Sequence, residues 1–344
     1  MLISICIPQH NRIDFLKISL KKIAEQDYQH VEIVISDDAS SDNTEQEINE
    51  LVNSYKFPIK YYRFAVNQGY DRNLRKSLEM ATGVYCFILG NDDTLSDSGA
   101  LKRLATFLKE TDLPEVGFCN SADYFNPANI TYRASKSMVI GSGVDVALRY
   151  YSSFSFVAGI IYKKESFDTV NTNRFDGSIY TQIYLATLII AKGGRLFTYA
   201  DPLVLSNIRY NNNLANSYRD TLPKKREEFK KLDGGLPSFA NVVFHALKDA
   251  NPADTDNNYK IIKRIYLYTY PYWLIDYRKN KARVAALGLK DGLKLKSFKN
   301  LSELTRVQKL KLNTMHYMSS MVGLGFPIWM FELLKTRLYK IAKS

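Results

Sequence analysis

The chain has 344 residues, 46% of them apolar, enough for one large α/β domain with an appendage or for two domains. Its formal net charge is +12, unevenly placed: residues 1–220 carry 23 Lys/Arg against 25 Asp/Glu, and residues 221–344 carry 24 against 10. Three unpaired cysteines (Cys6, Cys86, Cys119) and no window of about 18 apolar residues argue against a disulfide scaffold and a spanning helix, and favour a reducing compartment.

Met1 to Ser4 enters a strand directly, without a basic n-region or cleavage site, so no signal peptide is expected. Leu2 to Pro8 reads as a central strand closed by Pro8, followed by the polar loop Gln9–Arg12 and a helix over 13–26. A second strand, 31–36, runs into the dense polar stretch 37–44, where Ser41 or Asp42 can cap the next helix. A third strand covers 59–64, Asn67-Gln68-Gly69 is a turn, and a helix from Arg72 stops at Gly83. Tyr85 to Leu89 is a fourth, buried strand ending in Gly90-Asn91-Asp92-Asp93.

Alternating strands and helices imply parallel βαβ units with right-handed crossovers. The loops after strands one, two and four then emerge on one sheet edge, where α/β proteins bind ligands. Adjacent Asp92 and Asp93 repel each other unless a divalent cation binds between them and a phosphate; a solvated turn or helix cap is the plainer reading of the pair.

The order Ile-Pro-x-x-Asn-Arg (7–12), Asp-Asp-Ala-Ser-Ser-Asp-Asn-Thr (37–44), Asn-Gln-Gly (67–69) with Asn73, Ala-Thr-Gly-x-Tyr (81–85) and Asn-Asp-Asp-x-Leu (91–95) resembles a family 2 glycosyltransferase of the GT-A fold. The likeness is close over residues 2–110 and looser to about 210. It implies a GT-A α/β catalytic domain over residues 1–220, a Rossmann-like mixed sheet flanked by helices, with a basic helical extension over 221–344. It also implies that Pro8, Asn11 and Arg12 contact the donor nucleotide and that Asp37 and Asp38 read its base and ribose. Asn67, Gly69 and Asn73 would support the nucleotide pocket, or serve only as a turn. Asp92 matches the carboxylate that holds a divalent metal (Mn²⁺ or Mg²⁺) on the diphosphate, with Asp93 beside it. The family's first carboxylate of this element is replaced by Gly90; Asn91 offers a neutral oxygen or a ribose contact.

Farther on, 98–108 is a helix, 116–119 a strand, and 120–142 a polar, loop-like stretch. Phe154 to Tyr162 resembles the family's acceptor-side segment, or is a plain buried strand in which Gly159 permits close packing. The family's Glu-Asp base pair falls at Thr181-Gln182, at the start of a helix over 179–192, and neither residue can take a proton there. Asp176 is the nearest carboxylate, as base or as helix cap. Strands at 196–199 and 202–205 follow, then Arg209, which either reaches the diphosphate or is a surface arginine.

The last third carries no catalytic motif. Charged or basic helices are expected at 221–232 and 294–311, a helix at 261–279 kinked by Pro271, and a Lys/Arg-rich amphipathic tail at 326–340. Such a composition suits an anionic membrane surface, or a helical appendage packing on the domain or forming a homo-oligomer. The expected partners are therefore a nucleotide-sugar donor, a lipid-linked or glycan acceptor and the cytoplasmic face of the plasma membrane, as in bacterial surface-polysaccharide synthesis. No helix-turn-helix, zinc or RNP pattern supports a nucleic-acid partner. A nucleotidyltransferase would need glycines in the loop at 9–12. A non-catalytic scaffold of the same fold is the remaining alternative.

Overall fold

Four apolar runs build the front of one sheet: Ile3–Gln9 (β1), Val31–Asp37 (β2), Ile59–Arg63 (β3) and Tyr85–Ile88 (β4). They pair in parallel in the order β3-β2-β1-β4. Side chains of β1, β2 and β4 are almost all buried on both faces, as central parallel strands require. Crossover helices Ile13–Ala24 (α1), Thr44–Leu51 (α2) and Tyr70–Met80 (α3) connect them. The sequence expectation of parallel βαβ units holds over this half. Pro8 does not end its strand; β1 continues through Gln9, which pairs with Asp37.

Beyond β4 the sheet becomes mixed. This computed structural model describes residues 1–211, 213–215, 235–254, 256–280 and 282–334. Thr94–Leu95 (β5) and helix Ala100–Glu110 (α4) lead to Val116–Asp123 (β6), Ile130–Thr131 (β7) and Met138–Gly141 (β8), so the expected loop at 120–142 carries strand at both ends and in the middle. Helix Val144–Tyr150 (α5) precedes Ile160–Lys163 (β9), the only strand within 154–162; Tyr151–Phe154 is a 3-10 turn. Short helix Lys164–Val170 (α6) and buried helix Thr181–Ala191 (α7) follow. Leu196–Ser206 (β10) is one strand with an irregular register around Pro202, where two separate strands were expected. β9 lies antiparallel to β4 and β6, and β10 parallel to β6. Arg209–Tyr210 (β11) and Asn213–Leu214 (β12) form a small hairpin. All three cysteines are free and buried.

The edge opposite the polar loops is tied by one buried carboxylate. Glu32 accepts from Ser4 Oγ, Thr82 N (2.7 Å), Gly83 N (3.2 Å) and Lys60 Nζ (2.8 Å). Burial raises its pKa, and the bonds from Lys60, Ser4 and Thr82 outweigh that, leaving it at about 2.

The chain divides into two units, Met1–Ala147 with Tyr151–Asn216, and Leu148–Tyr150 with Ser217–Ser344. The described part of the second is helical: Leu236–Ala250 (α8), Asn257–Arg264 (α9), Tyr270–Lys279 (α10), Arg283–Gly292 (α11) and Arg306–Gly325 (α12). Pro271 lies in the first turn of α10. The five residues before α10, Ile265–Thr269, adopt a π turn, which relieves the proline's missing donor and ring clash. The basic stretch 294–311 is not one helix but two 3-10 turns and then α12, opened by a capping box of Thr305 and Gln308. The helix expected at 221–232 and the end of the tail, 335–340, lie outside the described residues.

Candidate functional site

Gln9 joins the loops at the sheet's ligand edge. Its buried amide donates to Thr44 Oγ1 (3.0 Å) and accepts from Asn91 Nδ2 (2.9 Å), while its carbonyl accepts from Asp38 N (2.9 Å) and Asn73 Nδ2 (3.0 Å). Loops after β1, β2 and β4, and the first turn of α3, thus meet at one residue. The sequence reading placed Gln9 in a polar loop without a role. Its position one residue past an apolar run was the only signal.

The acidic loop is held from within. Asp37, fully buried, accepts from Ser40 N (3.1 Å), Ser40 Oγ and Tyr61 Oη (2.7 Å). Asp38 is 3% exposed, and its two oxygens accept from Gln68 N (2.6 Å) and Gly69 N (2.9 Å). Gly69 has φ +83°, a value that favours glycine, and Asn67 Oδ1 accepts from the same Gly69 N–H (3.0 Å). Asn73 is buried, with no partner for Oδ1. Asn11, at φ +49°, bridges to Ser40 and Ser41, and Pro8 stays half-buried inside β1. Asp42 accepts from Ile13 N (3.1 Å) and Thr44 N (3.1 Å), so one carboxylate serves the starts of α1 and α2.

At the end of β4, Arg12 Nη1 donates to Asn91 Oδ1 (3.2 Å) and Asp92 Oδ2 (3.0 Å). The Asp92 side chain is 34% exposed, whereas Asp93 is buried. Burial, and then the neighbouring Asp92, push the Asp93 carboxyl well above the usual range; Arg133 and Arg12 act the other way. A methyl group on Gly90 would lie 2.5 Å from Asp93 Oδ2 and 3.2 Å from Asp92 Oδ1, so the glycine makes room for both carboxylates. Arg133 escaped the sequence reading altogether. Buried behind the pair, it donates to the carbonyls of Cys119 (2.9 Å), Phe156 (2.8 Å) and Ala158 (2.7 Å). Gly159, at φ +77°, lets Cys119 and Arg133 approach, the close packing its sequence context implied.

These residues fit a divalent cation that arrives with a diphosphate. Asp92 is reachable, Asn91 offers an amide, and cation charge would offset the cost of two adjacent carboxylates. Among the described residues no group of three His, Cys, Asp or Glu side chains gathers there, so phosphate oxygens would have to complete the ligand set.

The candidate base Asp176 and the candidate phosphate contact Arg209 are placed differently. Both oxygens of Asp176 accept from Arg75, Oδ1 from Nε at 2.9 Å and Oδ2 from Nη2 at 2.6 Å. Arg75 also bonds Glu79 and Asn171. It is Asp71, in the first turn of α3, that caps α7, accepting from Ile179 N (2.7 Å) and Thr181 N (3.1 Å). Burial raises the Asp71 pKa, partly offset by backbone N–H bonds. Ile179 pays for this arrangement with φ +63° and an exposed side chain. Arg209 sits on the β11–β12 hairpin, stacked 4.9 Å over Phe125, while Tyr210 of the same hairpin packs on Phe15 of α1.

A family model described as "Glycosyl transferase family 2" matches residues 4–170. The chain is 34% identical to "Abequosyltransferase RfbV" of Salmonella typhimurium, an alignment covering 60% of this chain and 66%, just under two thirds, of that one. It is 36% identical to "GalNAc(5)-diNAcBac-PP-undecaprenol beta-1,3-glucosyltransferase" of Campylobacter jejuni over 34% of this chain and 38% of that protein. Among solved structures, S. aureus TarS 1–349 in complex with UDP shares the fold at a TM-score of 0.53 and 16% identity, covering 95% of this chain and 93% of that one.

Proposed function

We propose, from the likeness of residues 4–170 to family 2 glycosyltransferases, that this chain is such an enzyme and moves a sugar from a nucleoside-diphosphate sugar to a hydroxyl of a lipid-linked glycan during bacterial surface-polysaccharide assembly. The observation that carries the reading is Asp92, half-exposed at the end of β4 and held by Arg12 amid Asn91 and buried Asp93. The relatives' printed names supply the chemical class: a sugar transferase in one, a polyprenyl-diphosphate glycan acceptor in the other. The catalytic unit in this reading is residues 1–220, and the basic remainder keeps the enzyme at the cytoplasmic face of the membrane or joins copies of it.

In this reading Asn11 and the 67–69 turn line the donor nucleotide pocket. Asp37, Asp38 and Asn73, all buried, hold it from behind, Asp38 by fixing the 67–69 turn. Arg12 and Asn91 orient Asp92 toward the diphosphate, and Asp93 stays behind it as a buried partner. A divalent cation (Mn²⁺ or Mg²⁺) would neutralise charge developing on the leaving nucleoside diphosphate. The chain's own cations assist: Arg12 lies beside Asp92, and Arg209 would join if the hairpin carries it over the phosphates. Asp176 serves as the acceptor's base only once its ion pair with Arg75 opens. Asp176→Asn should then lower kcat by roughly 10²- to 10⁴-fold with donor KM unchanged. A change under about threefold would leave Asp176 as part of the Arg75 clasp alone.

The test of the whole reading is a thermal-shift panel of nucleoside diphosphates with and without Mn²⁺ or Mg²⁺. One nucleotide at about 100 times its dissociation constant should stabilise the fold by about 2.7 kcal/mol. The gain should disappear with chelator and in Asp92→Ala. If no nucleotide shifts the transition, the scaffold reading replaces this one.

A further inference from the structure

α12 is packed inside out. On an ordinary surface helix the apolar stripe faces the core and the polar face meets water. Along α12 the buried positions are Leu312, Ser319, Ser320 and Gly323. Ser320 Oγ meets Tyr270 Oη at 2.7 Å, and a methyl group on Gly323 would lie 2.6 Å from Leu274 Cδ1. Only Leu312 among these is a large apolar side chain; the other three buried positions are small or polar. Val307, Leu310, Tyr317, Met318, Met321 and Val322 are each at least 50% exposed. At 100° per residue these six fall within one arc of about 140°, opposite the buried positions and interrupted by the exposed Lys311 and Thr314. Solvated monomers rarely leave an apolar strip along a helix of 20 residues.

The end of this helix continues the pattern. After Phe326-Pro327 the chain turns by 103° into a short helix, Ile328–Leu334, on which Trp329 is 65% and Leu333 74% exposed. Among the described residues no single helix is long and apolar enough to cross a membrane, yet this bent pair is so in combined length and composition. Arg278 fixes the bend, donating from Nη1 to Gly323 O (3.0 Å) and Phe326 O (2.9 Å). The charge pattern names the occupant. α12 has no acidic residue; Arg306, Lys309 and Lys311 cluster at its start. A second copy of the same face would bring more cations and no acid on this helix, whereas an anionic leaflet supplies both the apolar depth and the counter-charge.

We propose that the outward apolar face of α12 and the bent helix after it insert in the plane of an anionic phospholipid leaflet, with Trp329 and Tyr317 at the headgroup level. This deepens the membrane part of the proposed function by assigning its contact surface. It does not depend on the transfer reaction, since a protein that fails to bind vesicles can still show Asp92-dependent nucleotide binding. Insertion, unlike surface attraction, survives salt, because burial of apolar side chains is not screened.

The experiment is flotation of the full chain with phosphatidylglycerol–phosphatidylcholine vesicles at about 0.1 and 0.5 M salt. In parallel, Trp329 fluorescence is read in a Trp273→Phe background, since the chain has two tryptophans. The expected result is binding that persists in part at high salt, with a blue shift of Trp329 emission. Leu310→Glu with Met321→Glu should lower partitioning at least about tenfold without moving the melting temperature, both positions being exposed. Lys309→Glu with Lys311→Glu should lower only the preference for phosphatidylglycerol. Binding abolished by salt with no blue shift would overturn the proposal, as a purely electrostatic contact. A dimer in light scattering that the Leu310/Met321 variant converts to monomer would also overturn it, giving the face to a second copy.

Discussion

The ligand edge of the first unit and α12 of the second invert ordinary patterning in opposite directions. At the sheet edge, polar and charged side chains (Gln9, Asp37, Asp38, Asn73, Asp93, Arg133) are drawn inside and, save for Asn73 Oδ1 and the crowded Asp93, given partners. On α12, apolar side chains are turned out and stay exposed among the described residues. Both arrangements cost stability in an isolated chain, through desolvation at the edge and apolar exposure on the helix. The contrast teaches that the proposed donor site is organised before any ligand arrives, while the proposed membrane face is complete only when a surface covers it.

The two regions should fail independently, and variants test that from the largest effect down. Asp92→Ala should reduce transfer about 10³-fold, the scale of removing one electrostatic contact to a developing charge, while flotation with vesicles stays unchanged. Joint loss of both would mean that the regions are one functional body. Glu32→Gln, at the far edge of the sheet, should cost about 3 kcal/mol in urea unfolding at neutral pH, with the nucleotide-induced thermal shift of the folded protein retained. Its folded pKa of about 2 lies below the unfolded value, so this stability is present above about pH 5 and is lost as pH falls toward 2. Gly90→Ala should cost about 2 kcal/mol, because the new methyl lies 2.5 Å from Asp93 Oδ2. It should also weaken the nucleotide-induced thermal shift, sharpening the link between the carboxylate pair and the donor. Thr305→Ala removes the α12 cap for about 1 kcal/mol and should leave transfer and flotation intact.

The first four strands and three converging loops were legible because apolar runs ending in polar clusters signal buried parallel strands directly. Asp38, Arg12, Asn91 and Asp92 could therefore be brought to one edge from order alone. Arg133 was not legible: it comes from a stretch with no periodicity, and only the fold carries it behind Asp93. Asp71 was equally hidden, since an aspartate in the first turn of α3 looks like a dipole partner for its own helix rather than a cap for α7. Asp176 lost its expected capping role to Asp71 because Arg75 took both of its oxygens. The π turn before Pro271 and the interruption at 294–305 show the same limit, where local sequence marks a break but neighbours decide its form. Which side of α12 faces inward depends on Tyr270 and Leu274, tens of residues away.

Where α12 ends, its last carbonyls lose their helical donors, and in water solvent molecules replace them. In hydrocarbon no such replacement exists, and a broken helix is tolerated only if its freed carbonyls find donors in the protein. Arg278 supplies two N–H bonds to the carbonyls of Gly323 and Phe326. The guanidinium is thus a portable hydration shell, fixed before the chain meets any interface. A bend solvated from within can move between water and lipid headgroups without rebuilding its backbone hydrogen bonds.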